Sequence, residues 1–273
     1  MINAMTDLYT QAAEAIQSAK HIYITAGAGM GVDSGLPDFR GDEGFWRAYP
    51  ALRGYPFEEM ANPKWFIKDP TRAWGFYGHR LNLYRATSPH EGFAVLRKWA
   101  DAKDHFVFTS NVDGAFQKAG FESSKINECH GSLHHVQYVD PHLGQEIWSA
   151  EDVFVDVDME KVRAVGDLPR RDGHLLRPNI LMFGDWNWLA GRSAHQEDRN
   201  EAWLNEINPE EMVVIEMGAG TAIPTVRSQG NRWERHGATL IRINPRESHG
   251  SSATISIPCG AKEALLAIDA LIH

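Results

Sequence analysis

The sequence predicts an α/β fold in which a Rossmann-type parallel sheet carries a smaller inserted lobe. Short apolar runs typical of buried strands alternate along the chain with segments of helical periodicity. Most of these runs end in glycine or in polar residues, and two polar or aromatic excursions interrupt the alternation. Alternating strands and helices are typical of a parallel sheet, in which ligands bind beyond the carboxyl ends of the strands.

The first half of the predicted core contains two helix and strand pairs. Apolar residues recur at helical spacing within 6–19, and 21–25 then form a short apolar run that leads directly into Gly27. A second helix is predicted near 90–100. It is followed by a strand at 105–109, which again ends in polar residues.

The second half of the predicted core begins at 178–183, where an apolar run resumes after a long polar stretch. Strands at 212–216 and 239–243 follow at the spacing of βα units, and a terminal helix is predicted at 261–271. The chain has no internal repeat and no low-complexity tract.

The two excursions predict a second lobe within a single domain. The first is rich in Trp, Tyr, Pro and Arg, and the second is polar and irregular with a run of charges. The predicted Rossmann core covers about 1–40, 88–131 and 178–273, and the predicted small lobe covers about 41–87 and 132–177.

Composition excludes several classes of function. The formal net charge of −9 argues against a partner bound through phosphates, so no nucleic acid is expected. No apolar run approaches the roughly 20 residues that span a bilayer, so no membrane partner is expected. Residues 1–17 are polar and lack the apolar core of a signal peptide, so a cytoplasmic location is expected. Nothing in the sequence indicates an oligomeric state.

A glycine-rich loop follows the first predicted strand. Glycines at this place let the backbone approach a pyrophosphate near a helix N-terminus, although Gly-Ala-Gly alone is equally typical of a tight turn. The longer segment 27–40 resembles the NAD-binding signature of the sirtuin family, except that Gly31 stands where the family usually has Ser. The residues of this segment implied in cofactor binding are Gly27, Ala28, Gly29, Asp38, Phe39 and Arg40.

Later segments extend the resemblance over nearly the whole chain, in the family's order. Residues 109–114 are similar to its T-Q-N-I-D-G motif, and His130-Gly131 falls where its catalytic His-Gly lies. Residues 178–185 look like the segment that pairs with the substrate backbone. Further cofactor contacts are implied at Ser110, Asn111, Asp113, Gly218, Ala219, Gly220, Asn244 and Cys259.

The resemblance implies NAD as cofactor and cleavage of its nicotinamide–ribose bond. The carbonyl oxygen of an acylated lysine would be the nucleophile, and positive charge would develop on the ribose carbon. His130 would be the general base on a ribose hydroxyl, a role suited to imidazole. Asn111 and Asp113 would orient the nicotinamide ribose and the carboxamide, although such residues at a strand end also shape turns.

Substrate residues are predicted in two places. Tyr77 and Arg80 are three apart on a predicted helix, so they share one face, and they resemble the Y-x-x-R pair of sirtuins that prefer succinyl, malonyl or glutaryl groups. The alternative is an exposed Arg beside a packed aromatic residue. In the segment that resembles the substrate strand, the predicted contacts are Ile180, Phe183 and Gly184.

Two departures from the family bear on substrate and stability. The two C-x-x-C pairs of its zinc module are missing, since the only cysteines are Cys129 and Cys259, so no metal is predicted. The histidines within 132–177 are interpreted as solvated. Trp186 and Trp188 stand near the expected peptide cleft, where they would either stack on a ligand or plug the opening.

Three functions follow from these observations. The first is an NAD-dependent protein lysine deacylase that acts on an acyl-lysine protein or peptide. The second is an NAD hydrolase or an ADP-ribosyltransferase with a protein or small acceptor, favoured by the missing zinc module, Ser110 and the two tryptophans. The third is a non-catalytic NAD-sensing module, against which His130 argues because sensing needs no base.

Overall fold

The computed structural model describes residues 2–37 and 41–272, with side chains described for 5–37 and 44–272. Its strands, in chain order, are β1 His21–Ala26, β2 Asp104–Thr109, β3 Ile126–Glu128, β4 Gly131–Tyr138, β5 Trp148–Ser149, β6 Asp156–Asp158, β7 Arg163–Val165, β8 Arg170–Arg171, β9 His174–Ile180, β10 Met212–Met217, β11 Thr239–Ile243 and β12 Ile255–Ile257. Its helices are α1 Ile2–Ser18, α2 Gly41–Ala48, α3 Phe57–Met60, α4 Lys64–Lys68, α5 Pro70–Ala86, α6 Glu91–Asp101, α7 Ala115–Lys118, α8 Gly191–Asn205, α9 Thr225–Arg235 and α10 Ala261–Asp269.

Six parallel strands form the larger sheet, in the order β12-β11-β10-β1-β2-β3. Side chains alternate across a strand, so Ile22 and Ile24 pack under α1, α6 and α10, whereas Tyr23 packs on the opposite face against α8 and α9. Because helices cover both faces of this sheet, its strands are continuous apolar runs in the sequence. The predicted α/β class with a Rossmann-type sheet is therefore confirmed.

The smaller lobe combines an antiparallel sheet with the helices α2 to α5. Its sheet has the order β5-β4-β9-β8, and β6 and β7 form a separate hairpin that packs on α5. Aromatic side chains fill the space between sheet and helices, among them Phe45, Trp74, Phe76 and Tyr77, all at most 1% exposed. This apolar cluster stabilises the lobe by removing large side chains from water.

The structure differs from the sequence prediction at one junction. Residues 178–180, predicted to resume the parallel core, belong to β9 and pair with β4 in the smaller antiparallel sheet. A short apolar run does not show which sheet it joins, because a strand can be buried on both faces in the larger sheet and in the smaller one. The lobe boundaries inferred from sequence stay a prediction.

The described residues contain no group of three metal-ligating side chains. Among those same residues, no helix is both long and apolar enough to cross a bilayer.

Candidate active site

Strand register brings three of the predicted motifs to one edge of the larger sheet. Ala26 pairs with Thr109, which in turn pairs with Glu128. Gly27, Asn111 and His130 each follow one of these partners by one or two residues. They therefore lie beyond the carboxyl ends of the adjacent strands β1, β2 and β3, where open α/β sheets bind ligands.

The glycine-rich loop after β1 lies against a second glycine loop, which follows β10. A Cβ at Gly27 would stand 2.8 Å from the Gly218 oxygen, and a Cβ at Gly29 would stand 2.7 Å from the Gly218 Cα. Gly218 itself has a φ of 60°, and a side chain there would come within 2.3 Å of the Met30 nitrogen. Only glycine permits this approach, which leaves backbone amides lining the adjoining cavity. The loop continues as a 3-10 helix over Ala28–Ser34.

Asn111 ties the strand ends together. Its Nδ2 donates to the Gly27 oxygen over 3.0 Å, and its backbone N–H donates to the Thr109 hydroxyl over 3.0 Å. Ser110 donates its N–H to the Ala26 oxygen. The amide of Asn111 therefore holds the glycine loop against β2, and its side-chain oxygen makes no hydrogen bond to any described residue.

Asp113 is held from both its backbone and its side chain. Its Oδ1 accepts from the Ala115 N–H at 2.9 Å, and its backbone oxygen accepts from His134 Nε2 at 2.9 Å. Burial raises the pKa of the Asp113 carboxyl above its usual value, and the charge of Glu128 adds to the effect. Asp113 also lines a small cavity with Gly31, Leu36 and Tyr84.

His130 is half-buried at the connection between β3 and β4. Its backbone oxygen accepts from the Leu181 N–H at 2.9 Å, while its imidazole makes no hydrogen bond to any described residue. Burial lowers the pKa of the His130 imidazole below 6.5, because the charged form loses hydration. The ring is therefore neutral at pH 7 and able to accept a proton.

Asn244 and Cys259, both predicted to contact the cofactor, also make contacts within the protein. Asn244 is 1% exposed, donates to the Ala219 oxygen at 2.9 Å and accepts from the Arg246 and Glu247 N–H groups at 3.0 Å each. Asn244 thus holds the loop after β10 and the loop after β11 together. The side chain of Cys259 points into the core, 3.5 Å from the Tyr9 hydroxyl, so only the backbone of its segment can face a ligand.

The cavity between these loops is lined by backbone and by a few charged residues. Gly220 lies at the edge of the loop, half-buried beside Glu247. The lining residues are Gly29, Val32, Asp33, Gly218, Ile243, Pro245, Arg246, Gly260 and Ala261.

Tyr77 and Arg80 lie on the buried face of α5, contrary to the exposed alternative. Arg80 is 7% exposed, its Nε and Nη2 donate to the Tyr84 hydroxyl at 3.0 and 2.7 Å, and its guanidinium lies 5.8 Å from the Tyr77 ring centre. Tyr77 stacks on Phe66, and its buried hydroxyl has no hydrogen-bond partner among the described residues. Burial raises the pKa of the Tyr77 hydroxyl, so it stays protonated.

The three residues predicted in the substrate segment lie at the junction of the lobes. Ile180 is buried and pairs with Gly131, while the Phe183 N–H donates to the Ala61 oxygen at 2.9 Å. Gly184 is exposed with a φ of 66°. Trp186 is 96% exposed, so it does not plug the cleft.

The environment of two predicted histidines differs from the expectation. Asp38, Phe39 and Arg40 lie outside the described residues. His134 and His135, interpreted as solvated, are half-buried: the first holds Asp113, and the second has a buried Nδ1 without a partner in the described chain. Tyr84, a cavity residue bound to Arg80, was missed because a lone tyrosine on a helix carries no motif.

Comparison with known proteins shows the family. Residues 27–202, more than half of the chain, match the model of the Sir2 family. The chain belongs to the Sir2 family. The chain is 28% identical over 232 residues to a protein from Aquifex aeolicus (strain VF5) named NAD-dependent protein deacylase, and the match covers 84% of each chain. It is 31% identical over 189 residues to NAD-dependent protein deacylase sirtuin-5, mitochondrial, from Xenopus tropicalis, covering 63% of this chain and 59% of the relative.

A solved Sir2 structure has the same fold. A Sir2 homolog crystallised as a complex with NAD is similar with a TM-score of 0.73 and 25% identity, over 96% of this chain and 91% of that one. The predicted membership of the sirtuin family is therefore confirmed.

Proposed function

We propose that this Sir2-family chain is an NAD-dependent protein lysine deacylase. It would act on an acyl-lysine protein or peptide and release nicotinamide, an O-acyl-ADP-ribose and the free lysine. The observation that carries the proposal is the convergence of Gly27, Asn111 and His130 beyond the ends of three adjacent parallel strands. The names of the Aquifex and Xenopus relatives support the same reaction class.

The glycine loops fit a dinucleotide. The close approach of Gly27 and Gly29 to Gly218 leaves backbone at the surface of a cavity, as binding of a pyrophosphate requires. Gly29, Gly218 and Gly260 would hold NAD from this cavity, and Asn244 would hold the loops in place. When bound, NAD supplies the glycosidic bond that is broken.

The residues beyond β2 and β3 suit the chemistry at that bond. The side-chain oxygen of Asn111, which has no partner in the described part of the chain, would hydrogen-bond a ribose hydroxyl. Asp113, fixed by the Ala115 and His134 contacts, would orient the carboxamide. His130, neutral because burial lowers its pKa, would accept the proton of a ribose hydroxyl.

A preference for acidic acyl groups is the finer part of the proposal. Arg80 and Tyr77 share a buried face of α5 surrounded by aromatic rings, where a guanidinium and a phenol would bind a carboxylate with little competition from water. The Tyr77 hydroxyl, which has no partner in the described chain, would donate to that carboxylate.

Mass spectrometry of NAD incubated with the purified protein tests the proposal. The protein is incubated alone, with acetyl-lysine peptide and with succinyl-lysine peptide. Acyl-ADP-ribose formed only with a peptide is the expected result, with the succinyl peptide turned over faster if Tyr77 and Arg80 bind its carboxylate.

Two other outcomes would contradict the proposal. Free ADP-ribose, or ADP-ribose transferred to protein, in the absence of a peptide would establish the NAD hydrolase or transferase alternative. NAD binding without any cleavage would establish the sensing alternative.

A further inference from the structure

The segment that leads from β9 to α8 is held by a buried ion pair. The Asp185 carboxylate accepts from Arg177 Nη1 at 3.0 Å and from Arg177 Nη2, and the two side chains are 0% and 1% exposed. A bidentate contact of this kind fixes both distance and orientation. The pair therefore joins the middle of β9 to a point eight residues further along the chain, beyond the end of that strand.

The same two side chains hold the backbone between them. Arg177 also donates to the Ile180 oxygen at 2.9 Å, and Asp185 also accepts from the N–H groups of Met182 and Asn187 at 3.4 and 3.2 Å. The loop 181–184 is thus closed by contacts at each end.

A second buried pair fixes the continuation of the loop. Gln137 donates to the Asn187 oxygen at 2.8 Å and accepts from the Leu189 N–H at 3.0 Å, while Asn179 donates to the Leu189 oxygen at 2.9 Å. Gln137 and Asn179 are 0% exposed and hydrogen-bond each other. Four buried polar side chains from three places in the sequence therefore fix one short loop.

The loop they hold lies between the two lobes. The Leu181 N–H binds the His130 oxygen on one side, and the Phe183 N–H binds the Ala61 oxygen on the other. Beyond Phe183, neither the N–H nor the C=O of exposed Gly184 has a partner among the described residues. Gly184 lies in a turn with a φ of 66°, so these groups are not a strand edge, but they are exposed and open to hydrogen bonds from a bound peptide.

Stability alone does not explain the buried pair. Replacing such a pair by apolar residues of similar volume is often neutral, since desolvation offsets the attraction between the charges. Trp186, which directly follows Asp185, is 96% exposed, so the ion pair does not serve to bury it. What the pair does determine is the shape and position of the segment beside His130.

We infer that Arg177 and Asp185 are positioning residues for the acyl-lysine substrate, acting through the segment 181–184. The inference rests on the proposed function. With the pair intact, the unpaired backbone groups stand ready for an incoming peptide. Without it, the peptide must order the loop when it binds, which weakens peptide binding and leaves the cofactor cavity unchanged.

The test is the kinetics of Asp185→Asn, which removes the charge and keeps the shape of the side chain. The KM for acetyl-lysine peptide should rise about tenfold, the loss expected for one charge-assisted hydrogen bond, with kcat changed less than about threefold. The KM for NAD should stay within about twofold. Asp185→Glu keeps the carboxylate and should recover most of the loss, and Asp198→Asn, the same change at an exposed position of α8, should have no effect.

The outcomes separate the inference from the proposed function. A wild-type protein that turns over no acyl peptide would refute both. Active wild type with an unchanged peptide KM in Asp185→Asn would refute the inference alone, as would a fall in kcat or a parallel rise in both KM values. If Asp185→Asn does not fold, shown by loss of NAD-induced thermal stabilisation, Arg177→Lys is measured in its place with the same criteria, because a lysine keeps the cation without the bidentate contact.

Discussion

At the scale of single residues, the site combines side chains that have a polar atom without a partner in the described chain with side chains that hold neighbouring loops in place. His130 and Asn111 each present a side-chain atom without a partner in the described chain, whereas Asn244 uses both ends of its amide on neighbouring backbone. Removal of Asn244 would therefore disturb two loops at once. Roles of this kind depend on hydrogen-bond partners and cannot be read from residue type.

The first prediction concerns the pH dependence set by His130. Burial lowers its pKa, so the neutral, proton-accepting form persists at acidic pH and is lost as the pH falls through the folded-state pKa. The acidic limb of kcat/KM should have its midpoint below 6.5, measured with acyl peptide and saturating NAD. A midpoint above 6.5 would contradict the assignment of His130 as a desolvated base.

The variant His130→Ala is the control for that profile. It should lose activity by about 10² to 10⁴-fold together with the acidic limb, while NAD still raises the melting temperature. Substitution of the exposed His142 by Ala should change neither property.

A second prediction at this scale concerns Arg80. Arg80→Met should reduce kcat/KM for succinyl-lysine peptide by about tenfold more than for acetyl-lysine peptide, because only the acidic acyl group would use the guanidinium. The ratio of the two rates, measured on the same preparation, corrects for any general loss of stability from the buried site. Equal loss of both activities would count against a contact with the acyl carboxylate.

At the scale of elements, the cavity proposed to bind NAD depends on how two loops approach each other. The loops after β1 and β10 belong to neighbouring strands of one sheet, and the absence of side chains at Gly27, Gly29 and Gly218 lets them meet. The geometry of the cavity therefore depends on the pairing of β1 with β10 as well as on the two loops.

The third prediction follows from that approach. Gly218→Ala would place a non-glycine residue at a positive φ and a Cβ 2.3 Å from the Met30 nitrogen. It should therefore lower the free energy of unfolding by about 1–3 kcal/mol or more. It should also abolish stabilisation by NAD in thermal unfolding. The matched change Gly191→Ala, where a side chain meets nothing within 4 Å, should leave both properties within error of wild type.

At the scale of the whole molecule, apolar packing holds the smaller lobe together. The cysteine pairs of the family's zinc module are missing, and large aromatic residues connect the small sheet to α4 and α5. Trp74, 0% exposed, donates its indole N–H to the Leu176 oxygen at 2.9 Å and so links helix to sheet within that cluster.

The fourth prediction is that the protein needs no metal. Dialysis against a chelator should leave both the melting temperature and deacylase activity unchanged, because the lobe is held by apolar contacts and hydrogen bonds. Elemental analysis of the purified protein should find no stoichiometric zinc. A melting temperature that falls on chelation and recovers with zinc would overturn this expectation.

The sequence by itself determined the class of fold and predicted where the chemistry takes place. Strand and helix periodicity predicted the parallel sheet, and the motifs at 27–40, 109–114 and 129–131 indicated where its ligands bind. These features are local, because a strand end, a glycine or a histidine can be identified from a short segment of sequence without knowing its tertiary contacts.

Only the tertiary structure decided which partners those residues meet. Residues 178–180 joined the smaller sheet, Arg80 became buried beside Tyr84, and His134 turned inward to hold Asp113. It also paired Arg177 with Asp185, for which spacing in the sequence gives no sign. Contacts between distant segments depend on the packing of whole elements, and neither periodicity nor residue type encodes that packing at single positions.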